Sequence, residues 1–156
     1  MRVSTINDKE FEEYRKHYQK NIQEIILPPD INPLMARHIL SSLDNYYTEI
    51  RFDLAEIESA YNKTESIIRQ NERTQAVGKN EEERKRTASL YLESFPVSSE
   101  NTVNMYEWNR LLKTRYEVIK SIINVIENKQ QRLITMNGFL KIDKEVGSQY
   151  HQESGL

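Results

Sequence analysis

From Leu40 to Ile68 the core-facing positions fall three and four residues apart without a miss. They are Leu40, Leu43, Tyr47, Ile50, Leu54, Ile57, Tyr61, Thr64 and Ile68. A period of three and a half residues marks a helix whose seam meets another helix along its length. The spacing predicts one helix from 33 to about 76, roughly 65 Å long at about 1.5 Å per residue. No compact domain of this size needs so long a helix, so the expectation is a hairpin or bundle arm.

Breakers and caps set the other boundaries. Asn7 and Glu10 have capping-box spacing and open a first helix over 8–27, with Phe11, Tyr14, Tyr18, Ile22 and Ile25 on one side. "LPPDINP" ends it, because adjacent prolines remove donors and push the preceding residue out of the helical region. Asn32 followed by Pro33 reads as an N-cap with proline at the first helical position. Gly78 is the expected stop of the long helix, through a positive φ. Asn80 with Glu83 restarts the chain as a helix reaching about Phe95, where Pro96 ends it and "FPVSSENT" offers caps for the next.

A last helix is expected over 102–136. Trp108, Leu112, Ile119, Ile122, Ile126 and Leu133 keep the three-four spacing, while Arg115 and Lys129 interrupt the seam. Leu111, Val118 and Val125 widen the stripe, which suits contact with more than one helix. Asn137-Gly138 reads as its end, and 141–156 as a flexible tail. The expected organisation is a helix and proline-rich break over 1–30, a helical core domain over 31–140 with a connector near 77–80, and the tail.

Composition sharpens the fold class. Hydrophobic residues are 37% and charged residues 29% of 156, with four glycines and four prolines. Few breakers and little apolar content suit long helices with wet outer faces. The expectation is an all-α protein with coiled-coil-like heptad packing, its core completed by homo-oligomerisation through Trp108, Leu112, Ile119, Ile122 and Ile126. The chain has no cysteine, which excludes disulfides, thiolate metal sites and thiol nucleophiles. No signal-like or bilayer-length apolar run occurs, so the reading is a soluble, cytoplasmic protein without membrane contact.

Net charge is −2, yet it is unevenly laid out. Residues 1–68 carry 8 bases against 12 acids, a net of −4; residues 69–144 carry 14 against 10, a net of +4. A polyanion would therefore choose the second part.

Recognisable catalytic patterns are missing. His17, His38 and His151 are far apart, without HExxH or Glu-x-x-His spacing, so no metal site and no cofactor is expected. Neither a P-loop nor a GxGxxG occurs, and no nucleophile elbow. Nothing selects an acid pair among 24 carboxylates, and the reading is non-enzymatic. Eight aromatics, Tyr46, Tyr47, Tyr61, Tyr91, Phe95, Tyr106, Trp108 and Tyr116, are candidates for stacking on bases. Periodicity assigns Tyr47, Tyr61 and Trp108 to the core. The bases flank the connector, with Arg69 and Arg73 one turn apart before it and Lys79, Arg84, Lys85 and Arg86 after it. Their plainer reading is a solvated surface paired with Glu72 and Glu81 to Glu83. The functional reading is a set of phosphate contacts, multiplied if subunits repeat around an axis.

The segments "IESAYNKTESIIRQNERTQAVGK" and "YEWNRLLKTRYEVIKSIINVIENKQQRLI" give an order of parts that resembles the UvsY-type recombination mediators of tailed phages. The resemblance covers about 40–140; the first 30 residues have no counterpart. It implies an oligomeric ring in the host cytoplasm that binds single-stranded DNA. It also implies loading of a RecA-like recombinase onto strands covered by single-strand-binding protein. The family's DNA contact is Lys-Ala-Arg-Leu at a helix end before a glycine turn; the nearest positions here are Arg69 and Arg73 before Gly78. "RQNER" departs from that motif in spacing and in holding Glu72. The expected DNA contacts are Arg69, Arg73, Lys79, Arg84, Lys85 and Arg86, with Tyr91 stacking. The alternative is a helical protein-interaction module such as a phage adaptor, assembly factor or inhibitor of a host protein.

Overall fold

The computed structural model describes residues 3–98 and 101–153, with side chains for 3–96 and 103–138. The described chain is all-α apart from one short hairpin. Its elements run α1 (Asp8–Glu24), α2 (Pro33–Thr74), α3 (Glu81–Ser94), β1 (Pro96–Ser98), β2 (Asn101–Asn104) and α4 (Met105–Glu153).

Each described helix opens on an asparagine. Asn7 Oδ1 accepts from the Glu10 amide while Glu10 Oε2 accepts from the Asn7 amide, both at 2.9 Å. Asn32 Oδ1 accepts from the Met35 amide at 2.8 Å, ahead of Pro33. Asn80 does the same for the Glu83 amide at 2.8 Å, and Asn104 for the Glu107 amide at 2.9 Å. Each cap satisfies an amide that the helix leaves unpaired, at about 1 kcal/mol apiece.

Two compact units divide the chain, one of Met1–Phe11 with Phe52–Lys120 and one of Glu12–Arg51 with Ser121–Leu156. In the first, Leu54, Ile57, Thr64 and Ile68 of the α2 seam are buried, as are Leu112 and Ile119 of α4. Ile68, Leu92 and Met105 form a cluster there, joined by half-buried Ile67, Tyr91, Phe95 and Tyr106. The other unit buries Ile22, Ile31, Leu43, Ile50, Ile122, Ile126 and Leu133. The α2 seam thus faces inward over its length.

Expected at a subunit contact, Leu112, Ile119, Ile122 and Ile126 are at most 3% exposed within the single chain. Their apolar surface is already removed from water, so it offers a second copy nothing more to bury. Trp108 alone of the five keeps partial exposure.

The two polar interruptions of the α4 stripe have specific partners. Arg115 is buried in the first unit and donates through Nη1 to the carbonyls of Val3 (3.1 Å) and Ser4 (3.4 Å). Its Nη2 donates to Asp8 Oδ1 at 2.9 Å, and the guanidinium lies 5.0 Å from the centre of the Phe11 ring. Ser4 is held again by Glu56, through its amide at 3.0 Å and its hydroxyl. In the second unit Lys129 Nζ donates to the carbonyls of Ile22 (2.7 Å) and Ile25 (2.6 Å), where α1 runs out of intrahelical donors. Burial holds that ammonium below the ordinary lysine range.

Three boundaries differ from expectation. First, α4 passes through Asn137-Gly138 and stays helical to Glu153, covering much of the expected tail. A Cβ at Gly138 would meet nothing within 4 Å, and its φ is not positive, so it is an ordinary glycine inside a helix. Second, the stretch after Phe95 pairs as an antiparallel hairpin, Pro96 opposite Asn104 and Ser98 opposite Asn101, with an irregular register between. Third, Gly78 lacks positive φ. What the site demands there is close approach: a Cβ would stand 2.9 Å from the Arg84 amide nitrogen and 2.8 Å from Glu83 Cγ. The capping loop folds so tightly over the start of α3 that only a hydrogen fits.

Candidate functional site

The tight turn at Gly78 brings the end of α2 and the start of α3 together within the first unit. Between them lies an open cleft of about 630 Å³, lined on the α2 side by Arg69, Glu72, Arg73 and Ala76. Its α3 side is Glu81, Arg84, Lys85, Ala88 and Ser89. Both stripes keep i, i+3, i+4, i+7 spacing, which is one face of a helix, and Ala76 follows two residues after α2 ends at Thr74. Each stripe carries two bases, one acid and one alanine, so the cleft holds four bases against two acids, a formal +2.

The four cations are held differently. Arg69 Nη2 pairs with Glu65 Oε2 at 3.2 Å, one turn back on α2. Lys85 Nζ pairs with Glu81 Oε1 at 2.7 Å, both side chains well exposed. That contact draws the Glu81 carboxyl below the usual carboxylate range and raises the Lys85 ammonium above the lysine range. Arg84 reaches the Asn80 carbonyl through Nε at 3.3 Å, which leaves its terminal nitrogens open. Arg73 is exposed, with no hydrogen bond or ion pair among the described residues. Exposed pairs of this kind are weakly held and exchange readily with a phosphate.

Glu72 stands apart among the acids. It has no ion-pair partner among the described residues although four cations line the same cleft. Its Oε1 accepts from the Tyr106 hydroxyl at 3.1 Å. Burial pushes that phenol above its ordinary range, with Ser89 pulling the other way and bonding to Glu72 adding to the rise. A phenol is in any case protonated and able to donate at neutral pH. Beneath the charged rim the cleft floor includes the buried methyl of Ala88 and the half-buried Ala76.

Of the seven residues expected to contact DNA, the cleft brings together Arg69, Arg73, Arg84 and Lys85. Lys79 is exposed outside the lining, its amide donating to Glu83 Oε2 at 2.8 Å. Arg86 is exposed too, but two residues on from Arg84 it points about 200° around α3. Tyr91 belongs to the cluster with Ile68, Leu92 and Met105, its ring 5.8 Å from that of Phe95, and does not line the cleft. Sequence reasoning passed over Glu72, Ala76, Ala88 and Ser89 as site residues. The signal was present in the spacing they share with the bases. A second concavity of about 370 Å³ runs along α2 beside Asn62, Ser66 and Gln70, so Arg69 and Arg73 edge both hollows.

Among the described residues, no group of three or more His, Cys, Asp or Glu could hold a metal ion, and no helix is long and apolar enough to cross a membrane. Compared with protein-family models, curated proteins and solved structures, the chain matches none.

Proposed function

We propose that the protein is a non-enzymatic accessory factor that binds single-stranded DNA in the α2–α3 cleft. One observation carries this reading: bases from both sides of the Gly78 corner, Arg69 and Arg73 with Arg84 and Lys85, line one open surface. Arginine forks suit phosphate oxygens, and each phosphate neutralised releases counterions. The cleft's volume of about 630 Å³ falls within the range of about 300–1,000 Å³ typical of ligand sites. Assistance to a RecA-like recombinase on protein-covered strands belongs to the same reading, through the resemblance to the UvsY-type mediators. So does self-association, which would need a surface other than the buried α4 stripe.

The test is a titration of a fluorescent single-stranded oligonucleotide across a salt series. Binding at low salt should weaken as salt rises. The log–log slope should reach about −3 if all four cations take phosphates, at about −0.7 per phosphate. Absence of binding at low salt overturns the proposal.

A protein-interaction module is the second reading, favoured by Ile26 and Leu34, exposed at 76% and 75% on either side of the proline-rich connector. Under it, charge reversal at Arg69 and Arg73 leaves every binding property unchanged.

A further inference from the structure

A site built only for phosphate has no use for an unpaired carboxylate, since a like charge beside the ligand weakens it. Glu72 is such a carboxylate, exposed on the α2 side of the cleft between Arg69 and Arg73. It is not collapsed onto a neighbouring arginine, because the Tyr106 hydroxyl holds its Oε1 at 3.1 Å. Tyr106 is itself fixed in the apolar cluster with Ile68, Leu92 and Met105. The carboxylate is therefore positioned from behind, with Oε2 and the second lone pair of Oε1 left to accept from whatever enters. Ala76 and Ala88 keep the floor low and apolar, which leaves room for a flat ring beside the arginine planes.

We infer that the cleft takes a whole nucleotide, and that Glu72 reads the base as an acceptor that favours guanine. The inference rests on the single-stranded DNA reading and adds base selectivity to it. Guanine alone presents two adjacent donors, N1–H and the N2 amino group, on its Watson–Crick edge. Those two match the two oxygens of a carboxylate. Thymine presents one N–H between two carbonyls, and those carbonyls repel the carboxylate. Cytosine and adenine each offer an amino donor beside a ring acceptor and fall between. In an unpaired strand that edge is free to be read, as it is not in a duplex.

The experiment measures affinity for two single strands of equal length at one fixed low salt, one all thymidine and one alternating thymidine with guanosine. A third strand carries inosine for guanosine, which deletes the N2 amino group alone. The guanosine strand should bind about tenfold more tightly than the thymidine strand, the size of one bidentate base contact. The inosine strand should lose most of that gain. Glu72→Gln separates the roles, because the amide can still accept from Tyr106 but no longer presents two acceptor oxygens. It should bind the thymidine strand more tightly than the unaltered protein does, with the guanosine preference gone. Should Glu72→Gln tighten all strands alike, the carboxylate is only a repulsive charge and the inference falls. Equal binding of all three strands by the unaltered protein overturns it too, while leaving the DNA-binding reading in place. If no strand binds, both fall together.

Discussion

Arg115 shows how a charged residue in an apolar stripe finds its place. Its side chain is 4% exposed while that of Asp8 is 84% exposed, so the ion pair is largely screened by water. The carbonyls of Val3 and Ser4 are the partners that matter, since they lose their donor if the guanidinium goes. Asp8→Asn should therefore cost less than about 1 kcal/mol. Arg115→Leu should cost about 3 kcal/mol, read from urea unfolding by circular dichroism, because buried polar groups are left unpaired. Equal costs for the two would place the stabilisation in the ion pair. Lys129 follows the same logic at the end of α1, where Lys129→Met strands the carbonyl of Ile25, while that of Ile22 keeps the Ile25 amide at 3.3 Å. A loss of about 1–3 kcal/mol is expected in the same assay.

At the scale of elements, the two glycines after the helical stripes have opposite roles. Gly78 has no room for a methyl group, since the nearest obstacle includes the Arg84 backbone nitrogen at 2.9 Å. Gly78→Ala should destabilise the α3 start by about 1–2 kcal/mol, within the usual range for a backbone clash. Gly138 has open space around it, so Gly138→Ala should stabilise α4 by up to about 1 kcal/mol through helix propensity. Thermal unfolding of the two variants should move in opposite directions. Sequence alone made both glycines helix ends, because a breaker and a tolerated interior glycine look alike until the surrounding contacts are known. The caps at Asn7, Asn32 and Asn80 were legible, since asparagine with Glu or Pro at fixed offsets is a local signal. The α2 seam was legible for the same reason: Leu43 to Ile68 needed only periodicity. The hairpin at Pro96–Ser98 and Asn101–Asn104 was not, being short, polar and without a hydrophobic alternation.

For the whole molecule, the main lesson concerns which bases act together. Read as a run, Arg84, Lys85 and Arg86 form one block; read by helical angle, Arg86 leaves the group and Glu81 and Ala88 join it. What a stripe confronts across a corner depends on the fold of Gly78 and Asn80, which composition does not report. The four buried α4 residues expected at a subunit contact carry a similar warning. A broad apolar stripe predicts burial, but it does not say whether the cover comes from the same chain or another. Here the same chain covers it, and solution mass by light scattering tests whether the protein also self-associates through another surface. A monomer at micromolar concentration would leave the cleft to act singly, and a larger species would multiply it.

The central claim is that the α2–α3 cleft binds single-stranded DNA, as opposed to diffuse positive charge. Arg84→Glu and Arg86→Glu make the same charge change two residues apart on one helix, one inside the cleft and one outside it. Affinity for a single-stranded oligonucleotide at low salt should fall at least about tenfold for Arg84→Glu and no more than about threefold for Arg86→Glu. Equal losses in the two variants, or no loss in either, would contradict the account.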